Sequence, residues 1–249
     1  MLEIIQKLGI FQRKYFKTEI DFETKSGSMD IVSFVDKECE QMFRNGVSDN
    51  FQEDSILGEE SYDKNHDYKQ YKKLWIIDPL DGTLMFQRWI PYYAPMIAYV
   101  EDGIVQFSAI FFPEQDTLYY ANSDGAFCNK KPVYVSKTQE LQKSIINVSF
   151  KTLLKEFEYK KLEEINRQIG RIIDMSPTAQ KFCMCINGQC DWWISLDGWI
   201  WDTVPGWFLL QQAGWKVTNF WSDSWDIFNP KVIVSNGHIH TDFQKLLES

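Results

Sequence analysis

The chain is poor in the residues from which zinc sites and disulfide frameworks are built. Its 249 residues include three His and five Cys, and the cysteines contain no C-x-x-C pair. A structural zinc site usually needs closely spaced Cys and His, and a disulfide framework needs an even number of cysteines. We therefore expect neither, and we interpret the cysteines as free thiols in a reducing compartment.

The chain also lacks a long apolar run. Segments such as 104–112 are much shorter than the roughly 20 apolar residues that a transmembrane helix needs. The N-terminal segment from Met1 to Lys7 does not have the layout of a signal peptide. We therefore expect a cytoplasmic protein that makes no membrane contact.

Positive charge is in deficit as well. There are 26 Lys and Arg against 35 Asp and Glu, which gives a formal net charge of −9, and the basic residues are scattered. An acidic surface repels the phosphates of nucleic acids, so we expect no nucleic-acid partner. An acidic chain that handles phosphates needs bound metal cations to reverse its local field.

The apolar content, 44%, is sufficient for a sizeable core in one large domain or two closely packed halves. Two helices are predicted before residue 45, the second from Ser33 to Phe43, with a polar loop at 25–28 between them. Short apolar runs at 55–58 and 74–77 predict buried strands, and three more runs near 93–100, 104–112 and 117–121 are joined by tight turns, which predicts antiparallel neighbours. Strands and helices then alternate, so we expect an α+β protein with halves 1–140 and 141–249.

The second half is predicted in more detail from its apolar runs and turn residues. We expect strands at 144–150, 171–174, 191–196, 216–220 and 231–235. We expect helices at 155–168, 177–187 and 203–213, and a final helix at the C-terminus.

The densest group of oxygen ligands lies in the segment Trp75-Ile76-Ile77-Asp78-Pro79-Leu80-Asp81-Gly82-Thr83. Two carboxylates across a proline-fixed corner can face one point, and the Leu80 carbonyl can face it too. Mg²⁺ prefers such oxygen ligands. Gly82 permits close backbone approach, and Thr83 can open a short helix whose N–H groups suit a phosphate. The alternative is an ordinary β-turn in which Asp78 and Thr83 act as caps.

Three further acidic elements accompany this segment. Glu59 and Glu60 follow a short apolar run, and their alternative interpretation is that of solvated charges. Asp202 lies among tryptophans at a predicted helix N-cap, and capping is its alternative role. An ionised carboxylate in such surroundings is costly unless a cation pairs with it. Asp36 has the alternative of an exposed charge on the second helix.

Together these elements resemble the motifs of the inositol monophosphatase superfamily, whose members are metal-dependent, lithium-sensitive phosphatases. The resemblance covers nearly the whole chain. Its matching segments are Trp75 to Thr83, Gly58-Glu59-Glu60, Trp201-Asp202, and Lys25 with Asp30 to Asp36. The resemblance implies a layered αβαβα sugar-phosphatase fold, in which an antiparallel sheet half is followed by an α/β half.

The resemblance also implies a role for each matching residue. The expected ligands of two or three Mg²⁺ ions are Glu59, Asp78, the Leu80 carbonyl, Asp81 and Asp202. Backbone N–H groups of Gly82 and Thr83 would hold the phosphate, and the Thr83 hydroxyl with Glu59 would activate the attacking water. Asp36 would support the more weakly bound metal ion, either by contacting the ligands of that ion or through a water molecule. Lys25 would lie on a mobile loop that closes near the metals.

The activity implied by the resemblance is that of a phosphoric monoester hydrolase. Its substrate would be a small soluble phosphate such as inositol monophosphate. The reaction would be an in-line attack by water without a covalent phosphoenzyme. A homodimer is implied by the resemblance alone.

The chain departs from the family pattern around the substrate. Met85 stands where the family usually has Asn, and Ser195 stands where a Glu often grips inositol hydroxyls. We expect Ser195, Asp197 and Trp199 to form the wall that faces the substrate. Adenosine 3′,5′-bisphosphate, fructose 1,6-bisphosphate and histidinol phosphate therefore remain open as substrates. A metal-binding scaffold with little turnover is the alternative from a different class.

Overall fold

Five layers of helix and sheet make up the computed structural model, in the order helices, sheet, helices, sheet, helices. The described residues are 1–27, 30–195, 198–219, 222, 224–229 and 231–248. This mixed layering confirms the predicted α+β class. Among the described residues, no helix is both long and apolar enough to cross a bilayer.

The first layer contains two helices and a small hairpin. Its elements are α1 (Leu2–Tyr15), the strands β1 (Phe22–Gly27) and β2 (Asp30–Ser33), and α2 (Phe34–Asn50). Ile5 and Leu8 lie at helical spacing on α1 and are fully buried. The predicted polar loop at 25–28 is wrong for residues 25–27, which belong to β1 as an irregularity between its paired residues Thr24 and Gly27, and residue 28 lies outside the described residues.

The second layer is a seven-stranded sheet with the order β3-β4-β5-β6-β7-β8-β9. Its strands are β3 (Ser55–Gly58), β4 (Lys73–Asp81), β5 (Ala94–Glu101), β6 (Ile104–Phe112), β7 (Thr117–Asn122), β8 (Gly125–Cys128) and β9 (Lys131–Pro132). From β4 to β9 all neighbours are antiparallel, and for β5, β6 and β7 the short turns predicted this, whereas β3 runs parallel to β4. The carboxyl ends of β3 and β4 therefore meet at one edge of the sheet.

Strand β4 is buried on both faces. Trp75 and Ile77 pack towards the first helix layer, whereas Leu74 and Ile76 belong to the core on the other side of the sheet. This alternation follows from the two-residue period of a strand. The continuous apolar run at 74–77 therefore correctly predicted a buried strand.

The second sheet has five strands in the order β11-β10-β12-β14-β13. They are β10 (Ile145–Asn147), β11 (Arg171–Ile173), β12 (Trp192–Ser195), β13 (Lys216–Asn219) and β14 (Val232–Ser235). Its outer face carries α4 (Phe150–Glu156), α5 (Tyr159–Gln168) and α8 (His240–Glu248). The middle layer between the sheets contains α6 (Thr178–Ile186) and α7 (Ile200–Gln212).

Three predicted boundaries in the second half are wrong. The strand expected at 144–150 stops at Asn147, and α4 begins at Phe150. The helix expected at 155–168 is divided, because Phe157 and Glu158 adopt extended backbone angles between α4 and α5. The helix expected from 203 starts at Ile200, which moves Asp202 from the cap into the first turn.

Candidate functional site

Asp78 and Asp81 lie on β4, near its carboxyl end. In the pairing with β5, Asp78 is opposite Met96 but Asp81 is opposite Ala94, so β4 carries one extra residue between them. Residues three apart on a regular strand point to opposite faces, and a bulge of one residue cancels this alternation. Both carboxylates are consequently directed to the same side, and both are buried.

The corner between these two aspartates is fixed by several hydrogen bonds. The Gln12 side chain on α1 donates to the Pro79 carbonyl at 2.6 Å. The Leu80 N–H donates to Asp78 Oδ1 at 2.9 Å, and the Thr83 hydroxyl lies 3.0 Å from the Leu80 carbonyl oxygen. Three of the predicted oxygen ligands, Asp78, the Leu80 carbonyl and Asp81, therefore share one rigid turn.

Gly82 connects this corner to a short helix, α3 (Thr83–Gln87). Its φ angle is +90°, in the left-handed region that favours glycine. A Cβ atom at this position would lie 2.7 Å from the Tyr92 carbonyl oxygen and 2.9 Å from the Pro177 ring. Any side chain here would displace the start of α3, which the sequence correctly predicted at Thr83.

Glu59 reaches the same edge from the neighbouring parallel strand. It directly follows β3, and its N–H donates to the Ile77 carbonyl at 3.2 Å. Glu40, on α2, holds the next residue by accepting the Glu60 N–H at 2.8 Å, and Glu40 is itself paired with Arg44. The Glu59 side chain is thereby placed beside Asp78.

Asp202 comes from the other half of the chain, on the first turn of α7. The sequence-based assignment of this residue as N-cap is corrected by the structure. Asp202 is the third residue of α7, and its Oδ2 accepts the Trp199 N–H at 3.2 Å. Asp81 is held from the same half, because its carboxylate accepts the N–H groups of Thr178 and Ala179 at 3.2 and 2.6 Å.

The carboxyl groups of this site form one electrostatic cluster. Asp78 lies close enough to both Glu59 and Asp202 to share a proton with either. Burial raises the pKa of all three groups. Repulsion from neighbouring carboxylates raises the pKa of Asp78 and Asp202 further, whereas Lys25 opposes the rise at Glu59. Burial also raises the pKa of Asp81 to about 7, against the opposing effect of the Ala179 N–H. Such a cluster shares protons unless a cation compensates its charge.

Lys25, on β1, supplies a positive charge at the edge of this cluster. Its ammonium group lies 2.7 Å from Glu59 Oε1 and 2.6 Å from Glu60 Oε1. Burial lowers the pKa of Lys25, but its ion pairs with Glu59 and Glu60 outweigh this effect and raise the pKa overall. Burial and the Glu59 charge raise the pKa of Glu60 to about 7. Whether Lys25 moves, as expected from the resemblance, stays a prediction.

The donor set suits a hard divalent cation, although it does not form a closed cage. Glu59, Asp78, Asp81 and Asp202 offer carboxylate oxygens, and the Leu80 carbonyl adds another. Among the described residues, no group of three His, Cys, Asp or Glu side chains has a metal-holding arrangement. A cation at Glu59 would compete with Lys25 for the carboxylate, so binding requires rearrangement of these side chains.

Asp36 lies behind Thr83, at the start of α2. Thr83 Oγ1 lies 2.9 Å from Asp36 Oδ1, to which it donates, and Asp36 Oδ2 accepts both the N–H and the hydroxyl of Ser33. Asp36 is almost completely buried, and burial raises its pKa to about 6. The alternative of an exposed helix charge is therefore wrong. The contacts of Asp36 indicate that it orients the Thr83 hydroxyl.

Comparison with known proteins identifies the relatives of this arrangement. The model of the Inositol monophosphatase family matches residues 2–249. The chain belongs to this family. It is 28% identical to the fructose-1,6-bisphosphatase/inositol-1-monophosphatase of Thermotoga maritima, over 99% of the chain and 93% of the relative. As a member of the inositol monophosphatase family, it is a phosphoric monoester hydrolase.

Solved structures of inositol monophosphatases share the fold. A Thermotoga maritima IMPase matches with a TM-score of 0.87 and 26% identity, over 99% of this chain and 94% of that one. An IMPase/NADP phosphatase complexed with Mg²⁺ and phosphate matches with a TM-score of 0.86 and 23% identity, over 100% and 96%. At this identity the second likeness concerns the fold only.

Two of the three residues predicted to face the substrate, Ser195 and Trp199, are described by the structure. Ser195 is buried at the end of β12, and Trp199 precedes α7 with 56% of its surface exposed. Asp197 lies outside the described residues. The sequence interpretation did not identify Gln12 or Glu40, the buried partners that hold the turns carrying the candidate metal ligands.

Proposed function

We propose that this phosphatase is Mg²⁺-dependent and hydrolyses small soluble phosphate monoesters such as inositol monophosphate. The observation that carries the proposal is the convergence of buried carboxyl groups from both halves beside the hydroxyl of Thr83. A cluster of this charge in an acidic chain gains stability from a divalent cation and thereby acquires affinity for an anionic ester. A cytoplasmic homodimer is part of the same proposal.

Glu59, Asp78, the Leu80 carbonyl, Asp81 and Asp202 would hold two or three Mg²⁺ ions. When bound, Mg²⁺ lowers the pKa of a coordinated water and offsets negative charge on the leaving oxygen. The Mg²⁺ in the IMPase/NADP phosphatase complex of the same fold supports this choice of cation.

The chain's own groups would position the water and the phosphate. Thr83 has a single hydroxyl proton, which Asp36 or the Leu80 carbonyl accepts. The lone pairs of Thr83 Oγ1 are then available to accept a hydrogen bond that orients the attacking water, and the Glu59 carboxylate would take the proton of that water. The N–H groups of Gly82 and Thr83, at the start of α3, would bind the phosphate oxygens.

Phosphate release from a substrate panel tests the proposal. The panel contains inositol 1-phosphate, fructose 1,6-bisphosphate, adenosine 3′,5′-bisphosphate and histidinol phosphate, each with and without Mg²⁺. We expect release only with Mg²⁺, and a loss of at least about 10²-fold in Asp81→Asn, because electrostatic stabilisation of the reacting phosphate is lost. Asp116→Asn, at an exposed turn, is the matched control and should retain activity.

Thermal unfolding gives a readout that does not depend on turnover. Mg²⁺ that binds the native chain should raise its unfolding midpoint. At a Mg²⁺ concentration of 100 times the dissociation constant, the free energy of unfolding should increase by about 2.7 kcal/mol. Asp116→Asn should retain this shift and Asp81→Asn should lose it. Release without Mg²⁺, or full activity of a folded Asp81→Asn, would contradict the proposal. Mg²⁺ stabilisation without any release would favour the scaffold alternative.

A further inference from the structure

An aromatic cavity of about 340 Å³ opens beside the carboxylate cluster. Its lining includes Tyr62, Tyr68, Trp199, Ile200, Thr203 and Phe228. Its lining adjoins the candidate metal site, because Thr203 directly follows Asp202, the Trp199 N–H donates to Asp202 and the Tyr62 N–H is directed at the Glu59 carbonyl. The volume lies within the range of about 300–1,000 Å³ that is usual for small-molecule sites.

The rings of this cavity form an ordered stack. Trp199 lies parallel to Trp201, with 5.0 Å between ring centroids and 5° between planes. Trp201 is buried, whereas 56% of Trp199 is exposed. Tyr62 stands against both indoles, at 5.7 and 5.0 Å, and stacks on Tyr68 at 5.6 Å. The stack therefore ends in an exposed indole next to the cluster, and a further planar ring can extend it.

The chemistry of the lining favours an aromatic ring over a polyol. A cyclohexane polyol requires a hydrogen-bond partner for each hydroxyl group that it buries, and aromatic faces provide none. The charged and imidazole groups of the lining, His66, Asp67 and Lys69, are instead neighbours of Tyr68 in the chain. His66 is held by the Tyr71 hydroxyl at 2.7 Å, and the Lys69 ammonium lies 5.0 Å from the centroid of the Phe228 ring. Such groups suit the polar edge of a heteroaromatic ring.

We propose that this cavity binds the leaving group of the substrate, and that the preferred substrates are phosphate monoesters whose alcohol carries a planar aromatic ring. Trp199 stacks on that ring, while the phosphate lies at the carboxylate cluster. This inference rests on the proposed phosphatase function and specifies its substrate class. The ring can belong to a nucleoside or to a simpler aromatic alcohol, and the test separates the two.

Steady-state kinetics on matched esters test the preference. Benzyl phosphate and cyclohexylmethyl phosphate have leaving groups of similar size, of which only the first is planar and aromatic. We expect kcat/KM to be about tenfold higher for benzyl phosphate, in line with the usual strength of aromatic stacking. Adenosine 3′-monophosphate identifies the source of the ring. A kcat/KM more than tenfold above that of benzyl phosphate indicates a nucleoside, and equality indicates a simple aromatic alcohol.

Substitution of Trp199 tests the residue that carries the proposal. Trp199→Leu should lower the benzyl-to-cyclohexylmethyl ratio to near one, mainly through KM, whereas Trp199→Phe should retain most of the preference. Trp89→Leu is the matched control, because Trp89 is 54% exposed and lies outside the cavity. Circular dichroism and the unfolding midpoint establish that each variant is folded.

Binding of adenosine without Mg²⁺ separates this inference from the phosphatase function. We expect saturation-transfer NMR to show adenosine bound to the wild type and to Trp89→Leu, but not to Trp199→Leu. Adenosine binding without hydrolysis of any ester would support the cavity and contradict the phosphatase function. Mg²⁺-dependent hydrolysis with equal kcat/KM for the two matched esters, unaffected by Trp199→Leu, would overturn the aromatic subsite and leave the phosphatase function intact.

Discussion

Thr83 shows how one side chain can connect the buried framework to the reacting groups. Its hydroxyl lies 2.9 Å from Asp36 Oδ1 and 3.0 Å from the Leu80 carbonyl, and both atoms are acceptors. Asp36 is in turn fixed by Ser33 through a capping box. The orientation of the Thr83 lone pairs is therefore set from α2, a helix that also packs against β4 and, through Glu40, holds Glu60.

Thr83→Val is expected to lower kcat about 10²- to 10³-fold, because valine retains the shape of threonine but cannot accept a hydrogen bond from the attacking water. Thr83→Ser keeps the hydroxyl and should retain most of the activity. The measurement is kcat and KM with saturating Mg²⁺ on the best substrate of the panel. A Thr83→Val enzyme with nearly wild-type kcat would exclude this hydroxyl from water activation.

The carboxylates of the site were predictable because each belongs to a short segment with its own signature. Asp78 and Asp81 flank a proline within one turn, and Glu59 follows a strand directly. Gln12 and Glu40 could not be predicted in this way. Their partners lie 67 and 20 residues away along the chain, and each residue occupies an ordinary polar position on its helix. Gln12 and Glu40 acquire their role only through hydrogen bonds to groups that are distant along the chain.

At the scale of elements, the distance between Asp81 and Asp202 depends on how α6 packs against α7. The first turn of α6 holds Asp81 through backbone N–H groups, and the first turn of α7 carries Asp202. Gly206 lies one turn beyond Asp202 on α7, where a Cβ atom would collide with the ring of Phe182 on α6. The absent side chain permits the close approach of the two helices.

Gly206→Ala is expected to destabilise the protein by about 1–3 kcal/mol, because overpacking forces a buried ring or a helix to move. It should also lower kcat, since the shift separates groups that hold Asp81 and Asp202. The matched control is Gly46→Ala on α2, where an added Cβ atom meets the flexible end of Ile4 at 2.6 Å.

Urea unfolding and kcat of both variants provide the measurement. Gly46→Ala should be neutral or stabilising by up to about 1 kcal/mol, because alanine has the higher helix propensity. If Gly206→Ala is as stable and active as the wild type, the packing of α6 on α7 does not set the geometry of the site.

Elements with a strong period were predicted well, and those governed by local capping were not. The strands from β4 to β7 follow from apolar runs separated by tight turns. The break between α4 and α5 has no Pro or Gly to signal it, because the chain leaves the helical region at Phe157 and Glu158. Similarly, the hairpin at Lys25 depends on pairing with β2, which a polar composition conceals.

At the scale of the whole molecule, the middle helix layer joins the two sheets in one core. Trp207 on α7 belongs to the same apolar cluster as Ile76 and Met96 of the first sheet and Val232 of the second. α7 is apolar around most of its circumference, as expected for a helix covered on both sides. The division into halves 1–140 and 141–249 stays a prediction. Because both halves contribute to this core, each depends on the other to bury its apolar surface.

We expect the two halves to unfold together. A fragment of residues 1–140 would expose the sheet face that α7 covers, and burial of that apolar surface contributes about 25 cal/mol per Å² to folding. The intact chain should therefore show one calorimetric transition, coincident by far-UV and near-UV circular dichroism, and the isolated fragment should remain unfolded. Mg²⁺ should shift the single transition without splitting it, because Asp202 lies on one half and Asp78 on the other. Two resolved transitions, with Mg²⁺ raising only the first, would mean that residues 1–140 fold and bind the metal alone.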